Sequence, residues 1–241
     1  MNDCTAKDIA KMIDHSLLNP TFTRQQVIEG CNIAKEYDVA TVCIKPCDVE
    51  VANEILTGTD VLVTTVIGFP HGANLTAVKE YEAKLAIEQG CKELDMVINI
   101  GRLLGSEYDY VEADIKAVCD IAHASNVIVK VILENAYLTP KIITIACKIC
   151  EKAGADFVKT STGYAPSGAS LDDLKNIRAS TSSHVRVKAA GGVRTLSAAL
   201  AVRSVGVVRF GCTATAKIVI EAREHEAMGT LTLPKNPLNL V

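Results

Sequence analysis

Residues 185–210 read VRVKAAGGVRTLSAALAVRSVGVVRF and contain one strand-helix unit followed by the start of the next. The first run, Val185–Ala190, is short and apolar on both faces, which is typical of a parallel strand covered by helices. A glycine pair and a helical pattern follow it, and a second apolar run, Val205–Phe210, comes next. Strands that alternate with helices in this way predict parallel βαβ connections.

The same alternation extends along the whole chain. Six further runs precede this unit, at Met12–Leu18, Val39–Ile44, Val61–Ile67, Leu94–Ile100, Val127–Leu133 and Asp156–Thr160. Eight such units predict an α/β fold, a closed (βα)₈ TIM barrel that forms a single domain over residues 1–241. The alternative is an open doubly wound sheet, which would favour a G-x-G-x-x-G turn after the first strand, and the sequence has no such turn.

The helices between these strands have ends that the sequence marks. A capping box, a proline at the first helical position and a glycine after the last turn are each such a mark. These signals predict a capping box at Thr23 and Gln26, a helix at Thr76–Gln89 that stops at Gly90, a helix that begins at Thr139-Pro140 and ends at Gly154, and helices at Ser170–Ser180 and from about Thr213 to His225.

The composition limits what the protein binds. Of the residues, 49% are hydrophobic and 22% charged, so the chain is not intrinsically disordered. A net charge of -3 and an aromatic content of 4% indicate neither a polyanion-attracting field nor a base-stacking surface, so no nucleic-acid partner is expected. No uninterrupted apolar stretch is long enough to span a bilayer, so no membrane partner is expected either.

The cysteines and the N-terminus indicate a cytoplasmic location. The start, MNDCTAKDIAKM, lacks the apolar region of a secretory signal, and nine cysteines are an odd number for a disulfide framework. Most of them are expected to be small buried hydrophobic residues. Cys147-x-x-Cys150 has redox or zinc spacing but stands alone in a helical pattern, and the five histidines form no H-x-x-x-H pair, so no metal site is predicted.

Four ionisable side chains interrupt the buried-strand patterns on consecutive strands: Asp95, Lys130, Lys159 and Lys188. In a barrel such residues can share one interior. Desolvation and neighbouring ammonium groups both lower the pKa of a lysine, and the neutral amine can attack a carbonyl carbon. Asp95 would balance the remaining charge and move protons. The residues alone do not decide which lysine is the nucleophile, and a structural ion-pair network is the alternative.

Glycines follow the last two predicted strands, at Gly191-Gly192 and at Gly211, and small polar residues precede Gly163 after the sixth. Glycine lets backbone N–H groups approach an anion, and a helix N-terminus adds a favourable dipole. The loops after strands seven and eight of barrels frequently bind phosphate, although ordinary turn chemistry is the alternative. A reactive lysine beside such loops predicts a phosphorylated aldehyde or ketose that reacts through an imine.

The sequence resembles the deoxyribose-phosphate aldolases, a family of class I (Schiff-base) aldolases, over nearly its whole length. The motifs that carry the resemblance are DHSLL at 14–18, VIGFPHG at 66–72, ELDMVIN at 93–99, KVILE at 130–134, FVKTSTG at 157–163, VKAAGGVRT at 187–195 and RFG at 209–211. The resemblance implies reversible cleavage of 2-deoxy-D-ribose 5-phosphate to D-glyceraldehyde 3-phosphate and acetaldehyde, in deoxyribose phosphate catabolism. It implies no metal or organic cofactor, and it makes a homodimer the expected assembly.

The resemblance also implies roles for individual residues. Lys159 would form the imine, and Lys188 would lower the pKa of Lys159 and assist proton movement. Asp95 would be a general acid/base that works with Lys188 through water, and Lys130 would be a supporting charge. The residues expected around the substrate phosphate are Gly163, Gly191, Gly192, Gly211 and Thr213.

The chain departs from the family pattern at two points. Thr213 stands where serine is frequent in the last phosphate loop, and threonine keeps the hydroxyl. In some members a C-terminal tyrosine reaches the active site, whereas residues 236–241 contain no tyrosine.

Some assignments stay open at the level of sequence. Asp14 is either functional or only orders the barrel mouth, His71 either faces the pocket or is structural, and Cys43 and Cys47 are either aldehyde-reactive or inert thiols. The rival functions are another Schiff-base aldolase, an isomerase that uses acid/base residues alone, and a sugar-phosphate sensor on an inactive barrel.

Overall fold

Eight parallel strands close into a barrel in chain order in the computed structural model, which describes residues 4–235 and 237. The strands are β1 (Ile13–Leu17), β2 (Thr41–Ile44), β3 (Leu62–Ile67), β4 (Glu93–Val97), β5 (Ile128–Ile132), β6 (Phe157–Lys159), β7 (Arg186–Ala190) and β8 (Arg209–Cys212). The predicted closed (βα)₈ barrel is confirmed, and the open doubly wound sheet is excluded.

Helices surround the barrel and connect its strands. Those in the described part of the chain are α1 (Ala6–Ala10), α2 (Arg24–Glu36), α3 (Val49–Leu56), α4 (Thr76–Glu88), α5 (Ile100–Leu104), α6 (Tyr108–Ala124), α7 (Pro140–Lys152), α8 (Leu171–Ser180), α9 (Leu196–Ser204) and α10 (Thr215–Ala227). None of them is long and apolar enough to cross a membrane. Helix α6, the 17-residue helix, is one that the sequence analysis does not identify.

The marked helix ends agree with the structure. Thr23 caps α2 in a capping box with Gln26, and Thr139 and Ser170 cap α7 and α8. Gly90 and Gly154 follow α4 and α7 with φ of +93° and +90°, in the left-handed region that favours glycine. Local sequence therefore fixes the ends of these helices.

The predicted limits of two strands and one helix are wrong. The sequence pattern predicts the last strand at Val205–Phe210, but residues 205 and 206 complete the end of α9, where Gly206 has φ of +90° and its N–H donates to Arg203 O. Strand β8 therefore starts and ends later, and α10 begins at Thr215 rather than Thr213. Strand β4 ends before Ile100 because Asn99 caps α5.

The domain limits at residues 1–241 stay a prediction, since residues 1–3, 236 and 238–241 lie outside the described residues. The tail at 236–241, with its missing tyrosine, falls on these residues except for Pro237.

The strand register places the interrupting charges in two cross-strand pairs, and the second pair lies two residues further along the strands than the first. Asp95 pairs with Lys130 across β4 and β5, and Lys159 pairs with Lys188 across β6 and β7. Because side chains alternate between the two faces of a strand, the residues flanking them, such as Val129 and Val187, pack into the apolar layer beneath the helices. The charged set is thus directed into the barrel and the apolar set away from it.

Candidate active site

A cavity of about 430 Å³ opens at the carboxyl ends of the strands, the end at which barrel enzymes carry their active sites. It lies between the loops after β1, β6, β7 and β8. The sequence-predicted site residues that line it are Lys159, Lys188, Gly163, Gly191, Gly192, Gly211 and Thr213. Asp95 and Lys130 are completely buried within the barrel and do not line the cavity.

Asp95 joins the three lysines into one cluster. Its Oδ1 lies 2.7 Å from Lys130 Nζ. Its Oδ2 lies 2.7 Å from both Lys159 Nζ and Lys188 Nζ. The structure therefore brings together all four ionisable residues singled out on the strands.

A second layer of charges lies deeper in the barrel. Lys130 Nζ is 2.6 Å from Glu93 Oε2, and Arg209 Nη1 is 2.7 Å from Asp14 Oδ1 and 3.2 Å from Glu93 Oε2. Asp14 also contacts Lys188. Glu93 and Arg209 belong to the cluster, although neither is predicted from the sequence. The available signal was the period of two, which places Glu93 on the same face of β4 as Asp95.

The three lysines have different pKa directions. Burial lowers the pKa of Lys159; Asp95 opposes this shift and Lys188 reinforces it. Burial also disfavours charge on Lys188, but Asp14 and Asp95 outweigh it and raise the pKa of Lys188. The carboxylates around Lys130 likewise outweigh its burial and raise its pKa. Lys159 is therefore the lysine whose neutral, nucleophilic form is favoured.

The charge count in the cluster leads to the same lysine. The members are the basic residues Lys130, Lys159, Lys188 and Arg209 and the carboxylates Asp14, Glu93 and Asp95. A neutral Lys159 leaves equal numbers of positive and negative charges, whereas a protonated Lys159 leaves one positive charge uncompensated in a buried site. Uncompensated buried charge is strongly unfavourable, so the cluster favours the free amine.

The loops after β6, β7 and β8 supply unpaired backbone donors. Gly163 and Gly192 have φ of +93° and +110°, in the region that favours glycine. Within residues 4–235 and 237, the N–H groups of Gly163, Gly192 and Thr213 donate to no protein oxygen. Thr213 lies two residues before α10, whose N-cap residue Ala214 has no capping side chain. Unpaired N–H groups and a helix N-terminus together favour an anion.

Other residues also line the cavity, and two of them, Arg194 and Tyr164, carry side chains that could contact a substrate and were not predicted from the sequence. Arg194, in the loop between β7 and α9, is exposed and makes no ion pair with the described residues. Its position in the sequence, directly after the glycine pair and Val193, could have indicated that Arg194 belongs to the site. Tyr164 follows Gly163 and is half exposed, and its ring packs edge-on against Phe69 with 5.5 Å between centroids.

The residues whose roles the sequence left undecided lie in different parts of the structure: in the charge cluster, at the cavity or away from both. Asp14 belongs to the charge cluster. Cys43 lines the cavity, and burial raises the pKa of its thiol to about 11. His71 is exposed and does not line the cavity. Cys147 is packed in the hydrophobic core with Cys150, and burial raises its pKa to about 12, as expected of an inert thiol.

The fold and the site together define a class of protein. It is a parallel barrel with a desolvated lysine, a carboxylate in contact with that lysine, and, on the same cavity, backbone N–H groups that have no acceptor among the described residues. Such a site can form an imine with the carbonyl carbon of a small anionic substrate.

Comparisons with known proteins identify the family within this class. Residues 9–219 match the model of the DeoC/LacD family of aldolases. A deoxyribose-phosphate aldolase of Rhodopirellula baltica is 44% identical over 233 residues, which cover 97% of each chain. Another, from a Thermoanaerobacter species, is 48% identical over 89% of this chain and 96% of that one. The chain belongs to the DeoC/LacD family of aldolases, which confirms the resemblance seen in the sequence.

A solved structure supports the same assignment. The tetrameric deoxyribose phosphate aldolase from Aeropyrum pernix superimposes with a TM-score of 0.83 at 27% identity, covering 95% of this chain and 94% of that chain.

Proposed function

We propose that this protein is a class I aldolase that reversibly cleaves 2-deoxy-D-ribose 5-phosphate to D-glyceraldehyde 3-phosphate and acetaldehyde, in deoxyribose phosphate catabolism. The observation that carries the proposal is Lys159, which lines the cavity, contacts Asp95 and has a lowered pKa. The names of the relatives supply the substrate.

The reaction begins with the addition of Lys159 Nζ to C1 of the open-chain sugar, and loss of water gives a protonated imine. Asp95, acting through water with Lys188, takes the proton of the C3 hydroxyl, and the C2–C3 bond breaks. Its electron pair moves to the iminium and forms an enamine, while glyceraldehyde 3-phosphate leaves. Protonation of the enamine at carbon and hydrolysis then release acetaldehyde and the free amine. Lys130 supports the ionised form of Asp95.

The two sides of the cavity suit the two ends of this substrate. The phosphate would bind to the free N–H groups of Gly163, Gly192 and Thr213, beside Gly191 and Gly211. On the β1–β2 side, Leu18 and Cys43 line the cavity and pack with Val66 and Phe69 in a small apolar cluster. An apolar wall suits the unsubstituted C2 carbon of a 2-deoxy sugar, since it offers no partner for a hydroxyl.

Trapping the imine with borohydride tests the proposal. Incubation with 2-deoxyribose 5-phosphate and sodium borohydride is expected to inactivate the enzyme and to add the reduced substrate or an ethyl group to the peptide that contains Lys159. Mass spectrometry of the digested protein locates the modification. An isomerase would turn over a sugar phosphate without a trapped adduct, and a sensor would bind it without turnover; either result would refute the proposal.

Replacing Lys188 with leucine is expected to lower kcat/KM at neutral pH about 10- to 100-fold, because each unit of increase in the Lys159 pKa reduces the neutral amine tenfold. Lys188 is a cation that lowers the pKa of Lys159, and without it the cluster is balanced only when Lys159 is protonated. Activity should therefore recover as the pH is raised above neutrality. The measurement is the pH profile of kcat/KM, and wild-type activity at neutral pH in this variant would contradict the role.

The assembly and the location of the protein are also proposals. A homodimer is expected from the family, and the Aeropyrum pernix relative is described as tetrameric. Light scattering coupled to size-exclusion chromatography measures the assembly, and a monomeric mass would refute the dimer. The cytoplasmic location stays a prediction.

A further inference from the structure

Glu134 is a buried carboxylate next to the active site that the reaction scheme does not use. It lies two residues beyond β5, is 2% exposed, and has a left-handed backbone conformation with φ of +58°. Non-glycine residues adopt this conformation rarely and at an energetic cost, unless the surrounding structure imposes it. The adjacent bond from Asn135 N to Thr160 O, at 2.9 Å, ties this turn to the end of β6.

Both oxygens of Glu134 are bonded to a single residue of the loop that follows Lys159. Glu134 Oε1 accepts a hydrogen bond from Thr162 N at 3.1 Å, and Oε2 accepts one from the Thr162 hydroxyl. Among the described residues, no basic side chain lies within ion-pair distance of Glu134. A buried carboxylate without a cation depends on such donors, and hydrogen bonds to a charged acceptor are stronger than neutral ones.

The bonds continue from Thr162 across the mouth of the cavity. Because the Thr162 hydroxyl donates its proton to Glu134, its oxygen is free to accept from Tyr164 N, at 3.1 Å. The Tyr164 hydroxyl in turn donates to Leu18 O at 2.7 Å, after β1. Gly163, whose N–H has no acceptor in the described part of the chain, lies between Thr162 and Tyr164. Glu134 therefore fixes the segment 162–164 from the outer side while the segment faces the cavity.

We propose that Glu134 is a positioning residue for the substrate phosphate: through Thr162 it orients the Gly163 N–H and thereby sets the preference for phosphorylated over unphosphorylated 2-deoxyribose. The inference rests on the proposed function. Glu134 itself does not line the cavity, so it acts through the loop and not on the substrate. The chemistry at Lys159 Nζ depends on Asp95 and Lys188, which Glu134 does not contact.

The test compares two substrates that differ only in the phosphate. In Glu134→Gln, which keeps an acceptor for Thr162 N but loses the charge, KM for 2-deoxyribose 5-phosphate is expected to rise about 10-fold, with kcat within about 3-fold of wild type. In Glu134→Ala, which loses both bonds, the rise is expected to be larger. For unphosphorylated 2-deoxyribose, kcat/KM of both variants should stay within about 2-fold of wild type. Glu88→Gln removes the same charge from an exposed position on α4 and should change neither substrate.

Rates are expressed per active site counted by borohydride trapping, so a partly unfolded preparation does not mimic the effect. If Glu134→Gln does not fold, Thr162→Val removes the same hydroxyl bond from the other side and should show the same selective rise in KM. An equal loss on both substrates, or no change on either, overturns the inference. If the wild-type protein cleaves neither sugar, the proposed function fails. Calorimetric titration with inorganic phosphate then tests Glu134 alone, with weaker binding in Glu134→Gln expected and equal binding overturning it.

Discussion

Replacing Lys159 with methionine is expected to reduce aldol cleavage about 10⁴-fold or more, because removal of a covalent nucleophile eliminates the reaction path itself. Methionine is unbranched and of similar length, so the side chain still fills its buried position. The remaining cluster keeps equal numbers of basic and acidic groups, since Lys159 is the member favoured in its neutral form. The variant should therefore fold. The measurement is kcat with 2-deoxyribose 5-phosphate together with borohydride trapping, which should leave no adduct.

The chain offers a matched control for this substitution. Lys79 on α4 is also completely buried, and its Nζ lies 2.5 Å from Asp114 Oδ2 on α6, outside the barrel. Lys79→Met removes a buried amine and leaves Asp114 without its cation, so it is expected to destabilise the fold. Its activity per folded molecule should stay near wild type. A Lys159→Met variant that still cleaves the substrate at more than about a hundredth of the wild-type rate would show that another group forms the covalent intermediate.

The barrel could be predicted from the sequence because its strands are short, apolar on both faces and regularly separated by helices. The prediction failed where the pattern is ambiguous: Val205 is as apolar as a strand residue, but the glycine after it ends α9 and delays β8. Residue 205 packs against the core from the end of a helix rather than from a strand. Apolar character alone does not separate these two cases.

The candidate site was predictable in part, since charged residues within buried strands are unusual enough to single out Asp95 and the three lysines. The choice among the lysines was not predictable from the residues, because it depends on distances across strands. Lys130 and Lys159 both contact Asp95, but Lys130 also lies 2.6 Å from Glu93, and that carboxylate helps to keep it charged. The hydrogen bonds between Glu134 and Thr162 could not be predicted from the sequence either, since they join residues 28 positions apart through a turn of unusual conformation.

Replacing Asp95 with asparagine is expected to lower kcat about 10²- to 10⁴-fold, the usual contribution of a general acid/base, while Lys159 stays reactive. Asp95 raises the pKa of Lys159, so its removal favours the neutral amine, and acetaldehyde with borohydride should still modify Lys159. Loss of turnover with retained trapping separates proton transfer from imine formation. Loss of both would mean that Asp95 is required to form the imine, and unchanged turnover would exclude it from the mechanism.

The same substitution has a pH-dependent effect on stability. Burial disfavours the charged form of Asp95, but the ammonium group of Lys130, which also donates a hydrogen bond, and that of Lys188 outweigh it and hold the pKa of Asp95 well below its usual range. A carboxylate whose pKa is depressed by folding stabilises the protein above its unfolded pKa of about 3.9, and this contribution is lost as the pH falls through the folded pKa. Asp95→Asn should therefore lower the free energy of unfolding by about 3 kcal/mol at neutral pH, and by progressively less in acid.

Asp114→Asn, the control in the other buried pair, should also lose stability but keep kcat per folded molecule, because Asp114 bonds to Lys79 and Thr76 and not to the lysines of the barrel. Equal losses of kcat in the two variants would mean that the effect of Asp95 is one of stability and not of proton transfer.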